Sequence, residues 1–163
     1  MGAAGLELGE LRKHLRPALL EADLLELGED VCIDRLASAG HGVLATVHRH
    51  RGVDAVPVVF AVSGRRILVP IDTIKPKRTT DLQRTRNLRA DPRCALLVEH
   101  YSEDWDDLWW VRVHARGSVG PPESLDTARL ALAERHPRYS VQGSVATVLV
   151  LDPETFSGWS AAG

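Results

Sequence analysis

The spacing of apolar positions divides this chain into a helical beginning and a strand-rich remainder. From Leu6 to Leu27, residues Leu8, Leu11, Leu15, Ala18, Leu19 and Leu25 form a broken stripe at helical spacing. Pro17 interrupts it, so a kink or two short helices are expected. A second helix is expected over Asp30–Ala39, ended by Gly40 and Gly42. The period then shortens. Val43–Val47 reads as a strand, His48–Gly52 as a polar hairpin loop, and Val53–Val62 as the returning strand. Pro57 within that strand predicts an edge, a bulge, or a place where the backbone meets something other than a neighbouring strand. Ser63-Gly64 turns the chain into a strand at Arg66–Ile71.

After Asp72 the pattern is helical again. Pro76 suits the helix start, Thr79 or Thr80 the cap, and Leu82 and Leu88 the inward face. Asp91-Pro92 ends the helix. Strands follow at Cys94–Tyr101 and Leu108–Val119, where Trp110, Arg112, His114 and Arg116 share one face by period two. Glu123–Arg135 reads as a helix with Leu125, Ala128 and Leu132 inside. Val145–Leu151 is the last strand, with the tail Phe156–Gly163 after it. Six strands, short connections and no regular βαβ alternation predict a mainly β protein, an antiparallel barrel with peripheral helices.

The 163 residues fit one such domain. The longest apolar runs, Val56–Val62 and Ile67–Ile71, fall far short of the ~20 residues a membrane helix needs. Met1–Gly9 lacks the basic and apolar regions of a signal peptide, and a cytoplasmic protein without membrane contact is expected. Cys32 and Cys94 stand in no CxxC pair and near no zinc-spaced histidine, which predicts two reduced thiols and no metal.

The net charge of −2 is less informative than its distribution. Lys75, Lys77, Arg78, Arg84, Arg86, Arg89 and Arg93 face only Asp81 and Asp91 in their segment, a local surplus of five positive charges. A nucleic-acid binder is normally basic overall, so a basic patch on an acidic chain argues against nucleic acid and for a defined anionic ligand. Ile74–Thr80 leaves a strand and enters a helix start, where free N–H groups and the dipole favour an anion. Lys75, Lys77, Arg78 and the threonine hydroxyls add charge and hydrogen bonds there. A solvated basic helix face is the plain alternative. Neither GxxxxGK[ST] nor GxGxxG occurs.

Tyr101–Trp110 carries Glu103, Asp104, Asp106 and Asp107, read as a solvated loop because the spacing matches no EF-hand. Adjacent Trp109 and Trp110 point to opposite faces of their strand. The outward one needs cover from a dimer interface, a stacked planar ring or the Glu123 helix. His48 and His50 read as a solvated hairpin tip and His114 as a surface histidine. No GxSxG elbow supports a hydrolase triad.

Several pieces, in order and spacing, resemble the pyridoxamine-phosphate-oxidase-like split β-barrel family, and most closely its coenzyme F420 (deazaflavin)-dependent oxidoreductases. They are Gly42-Val-Leu-Ala-Thr-Val47, Val56-Pro-Val-Val-Phe60, Lys75-Pro-Lys-Arg-Thr-Thr80, Arg86-Asn-Leu-Arg-Ala-Asp-Pro-Arg93, Glu103-Asp-Trp105 with Leu108–Val113, and Gly158-Trp159-Ser160. The resemblance runs from about Ile33 to Ala161. Residues 1–30 are thus expected to be a helical extension and 31–163 the cofactor-binding domain. The resemblance implies a homodimer with two cofactor sites at the interface. The ring is implied to lie against Val56, Pro57, Val58 and Val59 and against Val69, Pro70, Ile71 and Asp72. The phosphate falls to Lys75, Lys77, Arg78 and Thr79, with Asn87 and Arg89 supporting the tail. The partner subunit is implied to contribute from Trp109, Trp110, Arg112 and Trp159. FMN ends in one phosphate, whereas coenzyme F420 continues into glutamate carboxylates, and the basic run to Arg93 suits the longer tail. The resulting expectation is hydride transfer between a deazaflavin and a small organic substrate, with no catalytic acid or base assigned. The alternatives are a flavin-, deazaflavin- or haem-like ligand carrier without turnover, and an FMN-dependent oxidase of pyridoxamine phosphate.

Overall fold

The computed structural model describes residues 26–74 and 81–162. The expected helices within Leu6–Leu27 therefore lie almost wholly outside the described residues. Helix α1 (Glu29–Ser38) is followed by strands β1 (His41–His48), β2 (Gly52–Val59), β3 (Ala61–Ser63) and β4 (Arg66–Asp72). Helix α2 (Gln83–Ala90), β5 (Arg93–His100), β6 (Trp109–Val119), helix α3 (Ser124–Ala133) and β7 (Val145–Ser160) complete the order. Short 3-10 turns stand at Trp105–Asp107 and Pro137–Ser140.

The described strands form one antiparallel sheet of seven, not six, in the order β2-β1-β5-β6-β7-β4-β3. The extra strand arises because the expected Val53–Val62 run breaks at Phe60. Val59 pairs with His41 on one side of the break and Ala61 with Leu68 on the other, while Phe60 is fully buried. The two edge strands are thus joined through a single residue. A flat seven-stranded sheet would hold its edges roughly 29 Å apart, and three consecutive residues span far less. The sheet must therefore curl until its edges meet at Phe60. The two edges do not pair, so the curl is open rather than a closed barrel. Leu44, Leu96, Val98, Val111, Val113, Val69, Ile71 and Leu149 fill its interior, each at most 1% exposed.

Two other expectations are corrected. The Phe156–Gly163 tail is mostly strand, since β7 runs to Ser160 and pairs along all of β6. Asp152-Pro153 does not end it, because a bulge sets Thr155 opposite His114 and Pro153 opposite Ala115, leaving Glu154 as the extra residue. Helix α2 begins at Gln83 with Leu82 as its cap, later than expected, while Pro76, Thr79 and Thr80 lie outside the described residues. Arg86 donates to both the backbone oxygen and the carboxylate of Asp81, which fixes the helix start there. Leu82 and Leu88 do face inward, as the pattern predicted.

Gly42 illustrates how tightly the sheet is built. A Cβ there would stand 2.6 Å from the Leu97 carbonyl oxygen and 2.9 Å from Val98 Cγ1. The first of these is backbone held by two ladders, so it cannot swing aside. Gly42→Ala is expected to destabilise the protein by about 1–3 kcal/mol, measured by urea denaturation; a loss below ~0.5 kcal/mol would show that β1 and β5 are not so closely registered.

Candidate functional site at the split of the sheet

Where the edges diverge, the fold leaves a cleft of about 520 Å³. One wall is β2 at Pro57, Val58 and Val59, and the other is the end of β4 at Pro70 and Asp72. Pro57 lies on an edge strand, one of the situations its proline predicts. Pro70 is tolerated because β3 pairs only with Arg66–Leu68, which leaves the rest of β4 open on that side. A bulge between Ile71 and Asp72 marks the strand end. Arg84 from α2, and His136, Arg138 and Tyr139 from the turn after α3, close the cleft.

The electrostatics centre on Arg84. Its Nε is buried with no hydrogen-bond partner, and among the described residues the side chain makes no hydrogen bond or ion pair. Burial disfavours its charge, and the Asp72 carboxylate acts in the opposite sense. An arginine stays protonated even so, and a desolvated cation without a close partner is expensive. Arg84 also lines a second cleft of about 260 Å³ with Thr46, Arg51, Asp54, Val56 and Gln83, so it stands between two open volumes. Across the main cleft, the Tyr139 hydroxyl donates to Asp72 Oδ2 at 3.2 Å. Burial first, and then the charge and hydrogen bond of Asp72, hold that phenol protonated well above its usual range. His136 Nε2 contacts the Gly40 carbonyl oxygen at 2.9 Å, which pins this turn to the start of β1.

Of the site residues read from the sequence, Pro57, Val58, Val59, Pro70 and Asp72 are brought together in this cleft. Val56 lines the second cleft instead. Val69 and Ile71 are fully buried in the core and reach neither. Lys75, Lys77, Arg78 and Thr79 lie outside the described residues. Trp110 and Trp159 sit opposite each other on the outer face of the sheet, with Arg112 stacked 5.5 Å from the Trp110 ring. Trp109 points the other way, packed on the core with Arg35 over its ring. None of these four lines the cleft of its own chain.

The downstream cations are less free than their count suggests. Arg86 and Arg89 both pair with Asp81, and Arg93 pairs with Asp91. Asn87, expected to support a ligand tail, is 3% exposed and fully engaged. Its Nδ2 donates to Thr46 Oγ1 at 2.9 Å and Asp54 Oδ2 at 3.0 Å, while its Oδ1 accepts from Gln83 at 2.8 Å. Arg51 grips the same Asp54 through two bonds. Arg51 first, and then Asn87, lower the Asp54 pKa to about 2.

A carboxyl depressed in the folded state adds stability above its unfolded pKa of ~3.9 and loses it as pH falls toward 2. Wild-type protein is therefore expected to lose stability between pH 4 and 2 more steeply than Asp54→Asn, as followed by urea denaturation across that range. Parallel curves would remove Asp54 from the acid response.

Arg84, Ile74, His136, Arg138 and Tyr139 were missed as site residues. Arg84 was legible as one charge of a basic run, but only the fold shows which of those charges has no partner. His136–Tyr139 follow α3 and reach the cleft through a turn no local pattern announces.

A family model described as pyridoxamine 5'-phosphate oxidase matches residues 30–160. The chain belongs to the pyridoxamine 5'-phosphate oxidase family. Solved structures share its fold. A conserved hypothetical protein from Mycobacterium tuberculosis superposes with a TM-score of 0.68 at 22% identity, covering 83% of this chain and 86% of its own. A protein from Mesorhizobium loti described as FAD-binding gives 0.59 at 19%, covering 82% and 93%. The heme storage protein HutZ from Vibrio cholerae gives 0.58 at 16%, covering 80% and 96%. No curated protein matches the chain. Among the described residues, no helix is long and apolar enough to cross a membrane, and no cluster of three or more metal-binding side chains forms.

Proposed function

We propose that this member of the pyridoxamine 5'-phosphate oxidase family is a coenzyme F420-dependent oxidoreductase acting on a small organic substrate, with the deazaflavin ring in the cleft between β2 and β4. The observation that carries this reading is the partly buried Arg84 between two clefts, without a hydrogen-bond or ion-pair partner among the described residues. The residues present fit such a group. Pro57, Val58, Val59 and Pro70 offer apolar walls for a planar ring, and Arg84 offers a charge-assisted partner for the first anionic group beyond it. The second cleft, with Thr46, Arg51 and Gln83, gives room for a tail longer than that of FMN. The contribution of Lys75, Lys77, Arg78 and Thr79 to the phosphate is the part of the proposal that rests on sequence.

When bound, such a ring supplies the hydride chemistry. The chain's own residues bind and orient it, and the apolar walls keep water away. Asp72, fixed by the Tyr139 hydroxyl, sets an acceptor at the β4 end of the cleft.

The reading includes a homodimer. The outer face of the sheet leaves Val43 and Leu97 each 37% exposed in the row that continues through Arg112, next to the row of Trp110 and Trp159. A second copy covering this face would place Trp110, Arg112 and Trp159 at the interface. Sedimentation is expected to show a dimer.

The test of the cofactor is a fluorescence titration with coenzyme F420 and FMN. Binding of coenzyme F420 at micromolar affinity or tighter, with FMN at least tenfold weaker, is the expected result. Equal or absent binding would contradict it. Oxidation of the reduced cofactor by quinones or enones then separates an enzyme from a carrier.

A further inference from the structure

We infer that Arg138 marks a substrate subsite beside the cofactor cleft, and that the substrate is a small organic acid with an apolar body. The inference rests on the larger cleft holding the cofactor ring. Beyond that cleft lies a third one, of about 430 Å³, lined by Thr73, Ile74, Arg138, Val141 and Gln142 among others. Ile74 and Arg138 line both volumes, so the two are neighbours at those side chains. A molecule in the third cleft would stand next to whatever occupies the first.

The chemistry of this second volume is specific. Apart from the Gln142 amide, which makes no hydrogen bond among the described residues, its framework uses its polar groups internally. Thr73 donates through its backbone N–H to Ser144 O and through Oγ1 to Gly143 O, each at 3.0 Å. Ser144 Oγ donates to Tyr139 O at 3.3 Å. Arg129 donates to Ser140 O at 3.1 Å. Gly143 closes the loop at φ 77°, a left-handed conformation that glycine adopts without strain. Arg138, by contrast, makes no hydrogen bond or ion pair among the described residues. Ile74 and the 65% exposed Val141 supply apolar surface near it. A fixed loop presenting one free guanidinium against aliphatic side chains recognises a carboxylate carried on an apolar group. Beyond the cleft they share, Arg84 reaches the second volume and Arg138 the third.

The test uses benzoate and its neutral analogue benzamide, titrated by calorimetry into the full chain, both cofactor-free and loaded with coenzyme F420. Benzoate is expected to bind in the millimolar range or tighter and benzamide at least tenfold more weakly. Arg138→Gln is expected to weaken benzoate about tenfold or more in the cofactor-free protein. Arg138→Lys is expected to recover part of the loss. No benzoate binding, equal binding of the two probes, or unchanged benzoate affinity in Arg138→Gln would overturn the inference. If coenzyme F420 fails to bind wild-type protein, the cofactor reading fails, and the cofactor-free titration still decides the acid site.

Discussion

Arg84→Gln is expected to weaken coenzyme F420 binding by about 10- to 100-fold, the range set by losing a hydrogen bond to a charged group of ~1.5–3 kcal/mol. The same substitution is expected to leave the cofactor-free protein as stable as wild type, or more so. A partly buried cation with an unmet Nε burdens the fold rather than supporting it. That pairing of outcomes separates a ligand-binding residue from a structural one. Arg89→Gln is the control. Arg89 is exposed and already paired with Asp81, so its loss is expected to change affinity by less than threefold. Fluorescence titration and urea denaturation of the three proteins measure both halves. Undiminished affinity in Arg84→Gln would place the anionic part of the cofactor elsewhere.

Phe60→Ala is expected to have the largest effect on stability, a loss of about 3–5 kcal/mol. Against the ~5–15 kcal/mol that holds a typical domain together, such a loss brings the protein near unfolding. Phe60 is 0% exposed and is the single residue joining the two edge strands. Truncating it both opens a cavity and loosens the point where the curl is held. Phe60→Leu, which keeps much of the volume, is expected to lose less than half as much. Urea denaturation gives the comparison. A loss below ~1.5 kcal/mol in Phe60→Ala would show that the closure of the sheet is held elsewhere.

Much of this fold was legible because alternating strands declare themselves. The β1–β2 hairpin, β4, β5, β6 and α3 fall close to where the spacing of Val43–Val47, Arg66–Ile71, Cys94–Tyr101, Leu108–Val119 and Leu125–Leu132 puts them. The failures have a common physical origin. Phe60 and Pro153 change pairing through tertiary contacts, one by turning into the core and the other by sitting beside a bulge, and neither leaves a trace in local periodicity. The site follows the same division. Pro57–Val59, Pro70 and Asp72 came from the family resemblance and are lining residues. The charge around them was read as a sum, and a sum does not reveal partners. Arg86, Arg89 and Arg93 have theirs close in sequence, while Arg84 makes no hydrogen bond or ion pair among the described residues and inherits the functional reading.

The ring of a flavin-type cofactor is proposed to occupy the split between β2 and β4, with an anionic group on Arg84. A crystal structure of the protein with coenzyme F420 tests it most directly. The account predicts the ring between Pro57–Val59 and Pro70–Asp72, with Arg84 within hydrogen-bond distance of a phosphate oxygen. A ring bound instead only on the outer face of the sheet, across Trp110 and Trp159, with the cleft empty, would contradict it.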